Sequence, residues 1–192
     1  MHLRPTVAAH GRRSSALDAS NEIGSSWSII GPMQTEARAQ VEISATPEVV
    51  FDAGADYRNF TRFIHAYGPI PGIRSAVMLG GAAPGTGSHR EIHLSDGSTI
   101  EEAVLAFERP ARHRYRLVHP PAMPFRLIVG GGEGDWRFEP SPHGPGTRVT
   151  WTYRLQLTTP LVWPMAMVLR ALFGRWMQQA LERLRGLVEA GS

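Results

Sequence analysis

The chain has 192 residues, of which 42% are hydrophobic, and this is enough for one domain with a substantial core. Cysteine and lysine are both absent, which excludes disulfides, thiolate metal sites, a cysteine nucleophile and lysine Schiff-base chemistry. The formal net charge is +3, and the arginines alternate with acidic and apolar residues. This pattern is typical of a solvated surface of mixed sign, so we expect no nucleic-acid partner.

The N-terminal segment differs in composition from the rest of the chain. Residues 1–32 are polar, contain Ser and Arg and show no periodic apolar pattern, and their longest apolar stretch, 27–30, is too short for a signal-peptide core. We predict that residues 1–37 form a flexible tail. In an alternative interpretation the start is over-long and Met33 is the true first residue. We expect a cytoplasmic protein that is a monomer or a homodimer.

The start of the folded region is predicted as a strand followed by two short helices. Apolar and polar residues alternate over 40–44, which indicates a half-buried strand. Thr46-Pro47-Glu48 has the composition of a helix start, with an N-cap threonine, a proline at the first helical position and an acid near the positive helix end. Helices are therefore predicted over 47–53 and 57–66.

The remainder is predicted as strands separated by turns, followed by one long helix. The predicted strands cover residues 73–79, 88–94, 98–108, 113–119, 125–139 and 147–157. Residues 160–189 form an amphipathic helix, whose apolar start at 160–173 is interrupted by Pro164 and Arg170. That start is too short to span a membrane, but it could make peripheral contact with one. A single helix laid on a curved sheet leaves a cavity, which we expect to bind a small apolar molecule.

Four segments carry a resemblance to a known family: Val41–Asp52, the hairpin Gly87–Gly97, Gly146–Trp151 and the closing helix. In this order they resemble the helix-grip superfamily. It includes START-like lipid-binding domains, birch-pollen-type allergens, abscisic-acid receptors and the bacterial polyketide cyclase/dehydrase (SRPBCC) group. The resemblance covers residues 38–189 and implies an α+β fold. In this fold a curved antiparallel sheet of about seven strands wraps on a long C-terminal helix, with two short helices after strand one. It implies a ligand cavity but no single reaction, because binders, transfer proteins and cyclases share the fold.

The register of the hairpin within 88–106 decides which of its side chains face the cavity. A two-residue turn at Asp96-Gly97 would place Ile92 opposite Glu101 and mix charged with apolar side chains on both faces. A three-residue turn, with Gly97 left-handed, places Ile92 opposite Ile100 instead. We prefer the second register because it makes one face an apolar wall.

In the preferred register Arg90 stands opposite Glu102 on that inner wall. The abscisic-acid receptors resemble this arrangement, with an Arg and a Glu at matching hairpin positions and the Glu in the pocket. A buried charge needs a partner, so the pair is either a structural salt bridge or a polar anchor for a ligand, and Glu102 could also act as a general base.

Other polar residues support no metal or cofactor site. His89 and His93 are four residues apart on a strand, which separates them by about 13 Å, too far for one metal ion, and both are expected to point outward. The glycines at 130–134 precede a strand and lack the Gly-Lys-Ser/Thr ending of a phosphate loop, so we expect them to mark a bulge or bend. His113, Tyr115 and Leu117 are expected to face the cavity. Tyr115 could donate a hydrogen bond to a ligand carbonyl, but an ordinary core aromatic with its hydroxyl near water is the favoured interpretation.

The leading hypothesis is that the protein binds a polyketide-, lipid- or isoprenoid-like molecule between the sheet and the C-terminal helix. Arg90, Glu102 and Tyr115 would hold its polar end, and they are also the candidate catalytic residues. The full set of predicted ligand contacts is Arg90, Ile92, Leu94, Ile100, Glu102, Val104, Tyr115, Leu117, Trp151, Leu169, Phe173, Trp176 and Met177. One alternative is a polyketide cyclase, aromatase or dehydratase that uses a pocket acid or base. A second alternative is a membrane- or quinone-associated accessory subunit.

Overall fold

The computed structural model describes residues 33–81 and 83–191. Seven antiparallel strands form one sheet: β1 (Gln34–Ile43), β2 (Ile73–Met78), β3 (His89–Leu94), β4 (Thr99–Glu108), β5 (Arg112–Leu117), β6 (Val129–Pro140) and β7 (Thr147–Leu157). The order across the sheet is β1-β7-β6-β5-β4-β3-β2. Consecutive strands from β2 to β7 therefore pair directly, and β1 closes the order by pairing with β7 along its full length.

Three helices accompany the sheet: α1 (Pro47–Ala55), α2 (Phe60–Phe63) and the 27-residue α3 (Trp163–Glu189). The predicted proline start of α1 is confirmed, although Thr46 makes no side-chain capping hydrogen bond. The second predicted helix is shorter than the pattern indicated. It consists of a 3₁₀ turn over Tyr57–Asn59 followed by α2, because Ile64 already has non-helical dihedrals. None of the described helices combines the length and apolarity needed to cross a membrane.

Two strand boundaries differ from the prediction by more than two residues, and the others agree to within two. β1 begins at Gln34, six residues before the predicted start at 40. The pattern did not indicate its first half because the inward positions there hold Thr35, Ala37 and Ala39. Such small side chains give a weak hydrophobic signal even where they are buried. β6 begins at Val129, because a 3₁₀ turn occupies 125–127. The predicted tail at 1–37 falls mostly on residues 1–32, which lie outside the described residues. Its last residues, 34–37, are not a tail, because they form the start of β1.

The core fills the space between the sheet and α3 unevenly along the helix. Met177, Ala180, Leu181 and Leu184 are fully buried, so the second half of α3 packs tightly on the sheet. Earlier on the helix, Leu169, Phe173 and Trp176 line a cavity instead. The helix-grip architecture that the sequence predicted is therefore present, with its cavity under the first half of α3.

Candidate functional site

The cavity has a volume of about 120 Å³ and lies between the inner face of the sheet, α2 and α3. A water molecule needs roughly 10–15 Å³ of such space, so the cavity is large enough for a molecule of several heavy atoms. Its wall is mainly apolar and aromatic. The apolar wall includes Phe60, Ile64, Ile92, Ile100, Phe125, Val129, Trp136, Trp151, Leu155, Leu169, Phe173 and Trp176.

Most of the predicted ligand contacts do line this cavity. The structure places Arg90, Ile92, Leu94, Ile100, Glu102, Tyr115, Leu117, Trp151, Leu169, Phe173 and Trp176 on its wall. Val104 and Met177 are the exceptions, because both are buried in the protein but do not line the cavity. They are therefore not proposed as ligand contacts.

Local geometry explains both exceptions. The strand register shifts between Val104 and Ala106, so β4 is irregular immediately after Val104, and beyond it the inward position passes to Phe107. Phe107 packs edge-on against Phe51, with ring centroids 5.1 Å apart, which closes this end of the core. Met177 follows Trp176 on α3 and belongs to the tightly packed half of the helix, with no exposed surface.

The preferred hairpin register is confirmed. Ile92 pairs with Ile100 and Arg90 pairs with Glu102, and Gly97 has the expected left-handed φ of 88°. Arg90 Nε donates a hydrogen bond to Glu102 Oε2 at 2.7 Å, and the two side chains are only 4% and 9% exposed. The pair is thus a buried ion pair on the cavity wall and not a surface salt bridge.

The guanidinium group of Arg90 is held between two aromatic rings. Its Cζ atom lies 4.7 Å from the ring centroid of Phe60 and 4.9 Å from that of Tyr115. Cation–π contacts of this kind stabilise a desolvated cation. Within the described part of the chain, the Nε–Glu102 bond is the only hydrogen bond of this guanidinium, so its terminal N–H groups are left as donors for another molecule.

His113 is a second polar group on the cavity wall, and it is 2% exposed. Neither of its ring nitrogens has a hydrogen bond of good geometry among the described residues. Burial lowers the pKa of His113 well below its usual value, and the positive charge of Arg90 adds to this effect, while the nearby backbone of Ala106 opposes it. The imidazole is therefore neutral near pH 7, with one N–H donor and one acceptor.

Trp151 resembles His113 in having an unsatisfied polar atom. The residue is 1% exposed and lines the cavity, and its Nε1–H lies near the Tyr115 hydroxyl but makes no hydrogen bond of good geometry among the described residues. Buried polar atoms without partners are uncommon in folded proteins. We therefore treat Trp151 and His113 as candidate contacts for the polar part of a bound molecule.

Tyr115 and Tyr153 complete the polar part of the wall. Burial raises the pKa of both phenols, and the negative charge of Glu102 adds to the effect at each. Both therefore remain protonated and can donate a hydrogen bond. Two glycines of β6 make room for these rings, because a Cβ atom at Gly132 would lie 2.6 Å from Tyr153 Oη and one at Gly134 would overlap the Tyr115 ring.

The two hairpin histidines face away from the cavity, as predicted. His89 Nδ1 lies 2.7 Å from Glu101 Oε1, and His93 Nε2 lies 3.2 Å from Glu91 Oε1 on the outer face. Among residues 33–81 and 83–191 there is no group of three or more His, Asp and Glu side chains placed to share a metal ion.

Comparison with known proteins places this fold in a family. A family model described as polyketide cyclase/dehydrase and lipid transport matches residues 34–189. The chain belongs to this family. No curated protein matches the chain.

Solved structures show the same fold at low sequence identity. Protein TTHA0849 of Thermus thermophilus is 22% identical, with a TM-score of 0.60 over 82% of this chain and 99% of that one. Ara h 8.0201 is 15% identical, with the same TM-score and coverage. The di-domain ARO/CYC StfQ of the steffimycin biosynthetic pathway is 13% identical, with a TM-score of 0.62 over 84% of this chain and 53% of that one. At such identities these likenesses show the fold alone.

Part of the cavity wall was not predicted from the sequence. The sequence-based prediction did not include Tyr153, Trp136 or Phe60 among the ligand contacts, although all three line the cavity. It placed His113 toward the cavity but did not predict its missing hydrogen bonds. Alternation along β6 and β7 could have located Trp136 and Tyr153. Trp136 pairs with Trp151, and Tyr153 lies two residues after Trp151 on the same face of β7. No local signal places α2, and hence Phe60, over Arg90.

Proposed function

We propose that the protein binds a hydrophobic small molecule of the polyketide, lipid or isoprenoid type in this cavity. The observation that carries the proposal is an apolar cavity with a few convergent buried polar groups at one place on its wall, which is the usual form of a small-molecule site. Arg90, Glu102 and Tyr115 would orient the polar end of the ligand, and aromatic residues such as Trp151 and Phe173 would contact its body.

Family membership supports the proposal at the level of ligand class. The family description joins polyketide cyclases and dehydrases with lipid transport. All of these activities require an apolar molecule to leave water and enter the protein. The proposed class of ligand follows from that shared step, and the polar groups on the wall select within it.

The first test is native mass spectrometry of the full chain purified from its host, together with displacement of the dye anilinonaphthalene sulfonate. Oleate, farnesol and a polycyclic aromatic ketone serve as competitors. We expect at least one of them to displace the dye from the wild type and not from Ile100→Trp, which fills the cavity. Val77→Trp is the matched control, because Val77 is an exposed strand residue outside the cavity wall. Equal displacement in both variants, or none in the wild type, would contradict binding in the cavity.

A second candidate function is catalysis by a cyclase, aromatase or dehydratase. It is favoured by three buried ionisable groups of different chemistry, Glu102, His113 and Tyr115, that face one cavity. A carboxylate or a neutral imidazole could remove a proton next to a carbonyl group, while Arg90 and Tyr115 stabilise the resulting enolate.

The two functions differ in their response to Glu102→Gln, which preserves shape but removes the base. If Glu102 is the general base, turnover of a poly-β-ketone substrate should fall about 100-fold or more while binding is retained. Glu101→Gln is the matched control, because Glu101 is the neighbouring acid and pairs with His89 on the outer face. Unchanged turnover in Glu102→Gln would exclude this role for the carboxylate.

A further inference from the structure

The first turns of α3, together with the 3₁₀ turn Pro160–Val162 that directly precedes it, expose an apolar row. Met165 and Val168 are three residues apart on α3 and so lie on one side of the helix, and Leu161 lies in the preceding turn. Leu161, Met165 and Val168 are 89%, 58% and 63% exposed, and Trp163 beside them is 44% exposed. Single exposed apolar residues are normal, but several large ones together indicate a contact surface.

A second exposed segment lies next to this row. Met123 and Leu127, in the loop before β6, are 62% and 60% exposed. Thr158 ties this loop to the start of α3, because its Oγ1 donates a hydrogen bond to the Leu127 carbonyl at 2.8 Å and its N–H donates to the Ile128 carbonyl at 3.1 Å. We call the six residues Leu161, Trp163, Met165, Val168, Met123 and Leu127 the apolar face.

The apolar face borders the cavity. Phe125 lies between Met123 and Leu127 in sequence and lines the cavity, and Leu169 follows Val168 and lines it from α3. The same two segments therefore supply both the exposed face and part of the cavity wall. A molecule that entered between them would pass directly from the apolar face into the cavity.

The charges on the two segments that form the apolar face have one sign. Residues 119–132 and 158–181 contain no Asp or Glu, whereas Arg126, Arg170 and Arg175 are all exposed. Arg175 lies seven residues after Val168 and thus on the same side of the helix. A surface with large apolar side chains flanked by cations is complementary to an anionic lipid bilayer, because the apolar groups insert among the lipids and the arginines contact the phosphates.

We propose that the apolar face docks on an anionic lipid bilayer and presents the cavity to it. The bilayer would then be the source or the destination of the apolar ligand, which would move between lipid and cavity without crossing water. The exposed apolar residues and the arginines support docking. Transfer of the ligand additionally rests on the proposed binding function.

The test is cosedimentation of the full chain with vesicles of phosphatidylcholine, with and without added phosphatidylglycerol. We expect stronger partitioning onto the anionic vesicles. Val168→Ser should reduce partitioning roughly tenfold, the order expected for losing one inserted apolar side chain. Arg175→Gln should reduce it about fivefold on anionic vesicles only. Val77→Ser is the matched control, since Val77 is 44% exposed on β2 and should leave partitioning unchanged.

Three results would overturn the proposal: no preference for anionic vesicles, equal partitioning of Val168→Ser and wild type, or a dimer in light scattering that Val168→Ser converts to a monomer. The last result would assign the apolar face to a second copy of the chain. Dye displacement without vesicles separates docking from ligand binding. If the wild type shows dye displacement but does not bind vesicles, docking is contradicted and ligand binding is not. If it binds vesicles but shows no dye displacement, the cavity function is contradicted and docking is not.

Discussion

Replacement of Arg90 by methionine should destabilise the protein strongly, because it leaves the Glu102 carboxylate buried without its partner. The two side chains are 4% and 9% exposed and their hydrogen bond is 2.7 Å long. Removing one partner of such a buried pair costs roughly 3–5 kcal/mol of unfolding free energy. For a chain of this size, that corresponds to a decrease in Tm of about 6–20 °C.

Urea unfolding at neutral pH measures this cost, and two further variants make the result interpretable. Glu91→Gln breaks an exposed pair with His93 from the same strand, and it should cost about 0–1 kcal/mol. Adding Glu102→Leu to Arg90→Met removes both buried charges, so the double variant should recover much of the lost stability. A cost below about 1 kcal/mol for Arg90→Met would show that the pair is hydrated like a surface pair, and the reasoning about a desolvated polar end would be wrong.

Three other properties can be measured with the same purified protein. Burial lowers the pKa of His113, so the folded state stays neutral while the unfolded chain gains a proton below about pH 6.5. The free energy of unfolding therefore keeps its full value above that pH and falls by about 1.4 kcal/mol per pH unit below it. His113→Phe should remove this loss, which urea unfolding at lower pH measures. Gly134→Ala should cost roughly 1–3 kcal/mol because its Cβ overlaps Tyr115, whereas Gly130→Ala, with ordinary contacts at 3.7 Å, is the control that should change little. Limited proteolysis should remove residues 1–32 and leave a folded domain, and loss of the circular-dichroism signal on their removal would show that they belong to the core.

Local sequence rules were sufficient where the structure depends on short-range geometry. The left-handed Gly97 sets the length of the hairpin turn, and the turn sets the pairing of Ile92 with Ile100. Because side chains alternate along a strand, this one pairing also places Arg90 and Glu102 on the cavity side. The central polar pair of the candidate site was therefore predictable from the 13 consecutive residues from Arg90 to Glu102.

The features that sequence reasoning missed depend on contacts between distant segments. Val104 was predicted to line the cavity because it lies two residues after Glu102 on the same strand, and nothing in the sequence of β4 indicates the register shift that follows it. The unsatisfied nitrogens of His113 are visible only when β4 and β6 are paired on either side of β5, because either neighbour could have supplied a partner. Phe60 reaches Arg90 from α2, about thirty residues away in the chain, and no short-range rule predicts that contact.

The polar wall is rich in hydrogen-bond donors, and this bears on the ligand. The terminal nitrogens of Arg90 and the Nε1–H of Trp151 only donate, and Glu102 only accepts, while Tyr115, Tyr153 and His113 can do both. A pure hydrocarbon would leave these donors buried without partners, which is costly. We therefore expect a ligand whose buried end carries several oxygen acceptors, such as neighbouring carbonyl groups. The same donors that hold a carbonyl oxygen also stabilise an enolate, so the wall suits a binder and a cyclase equally, and only a base that removes the proton separates the two.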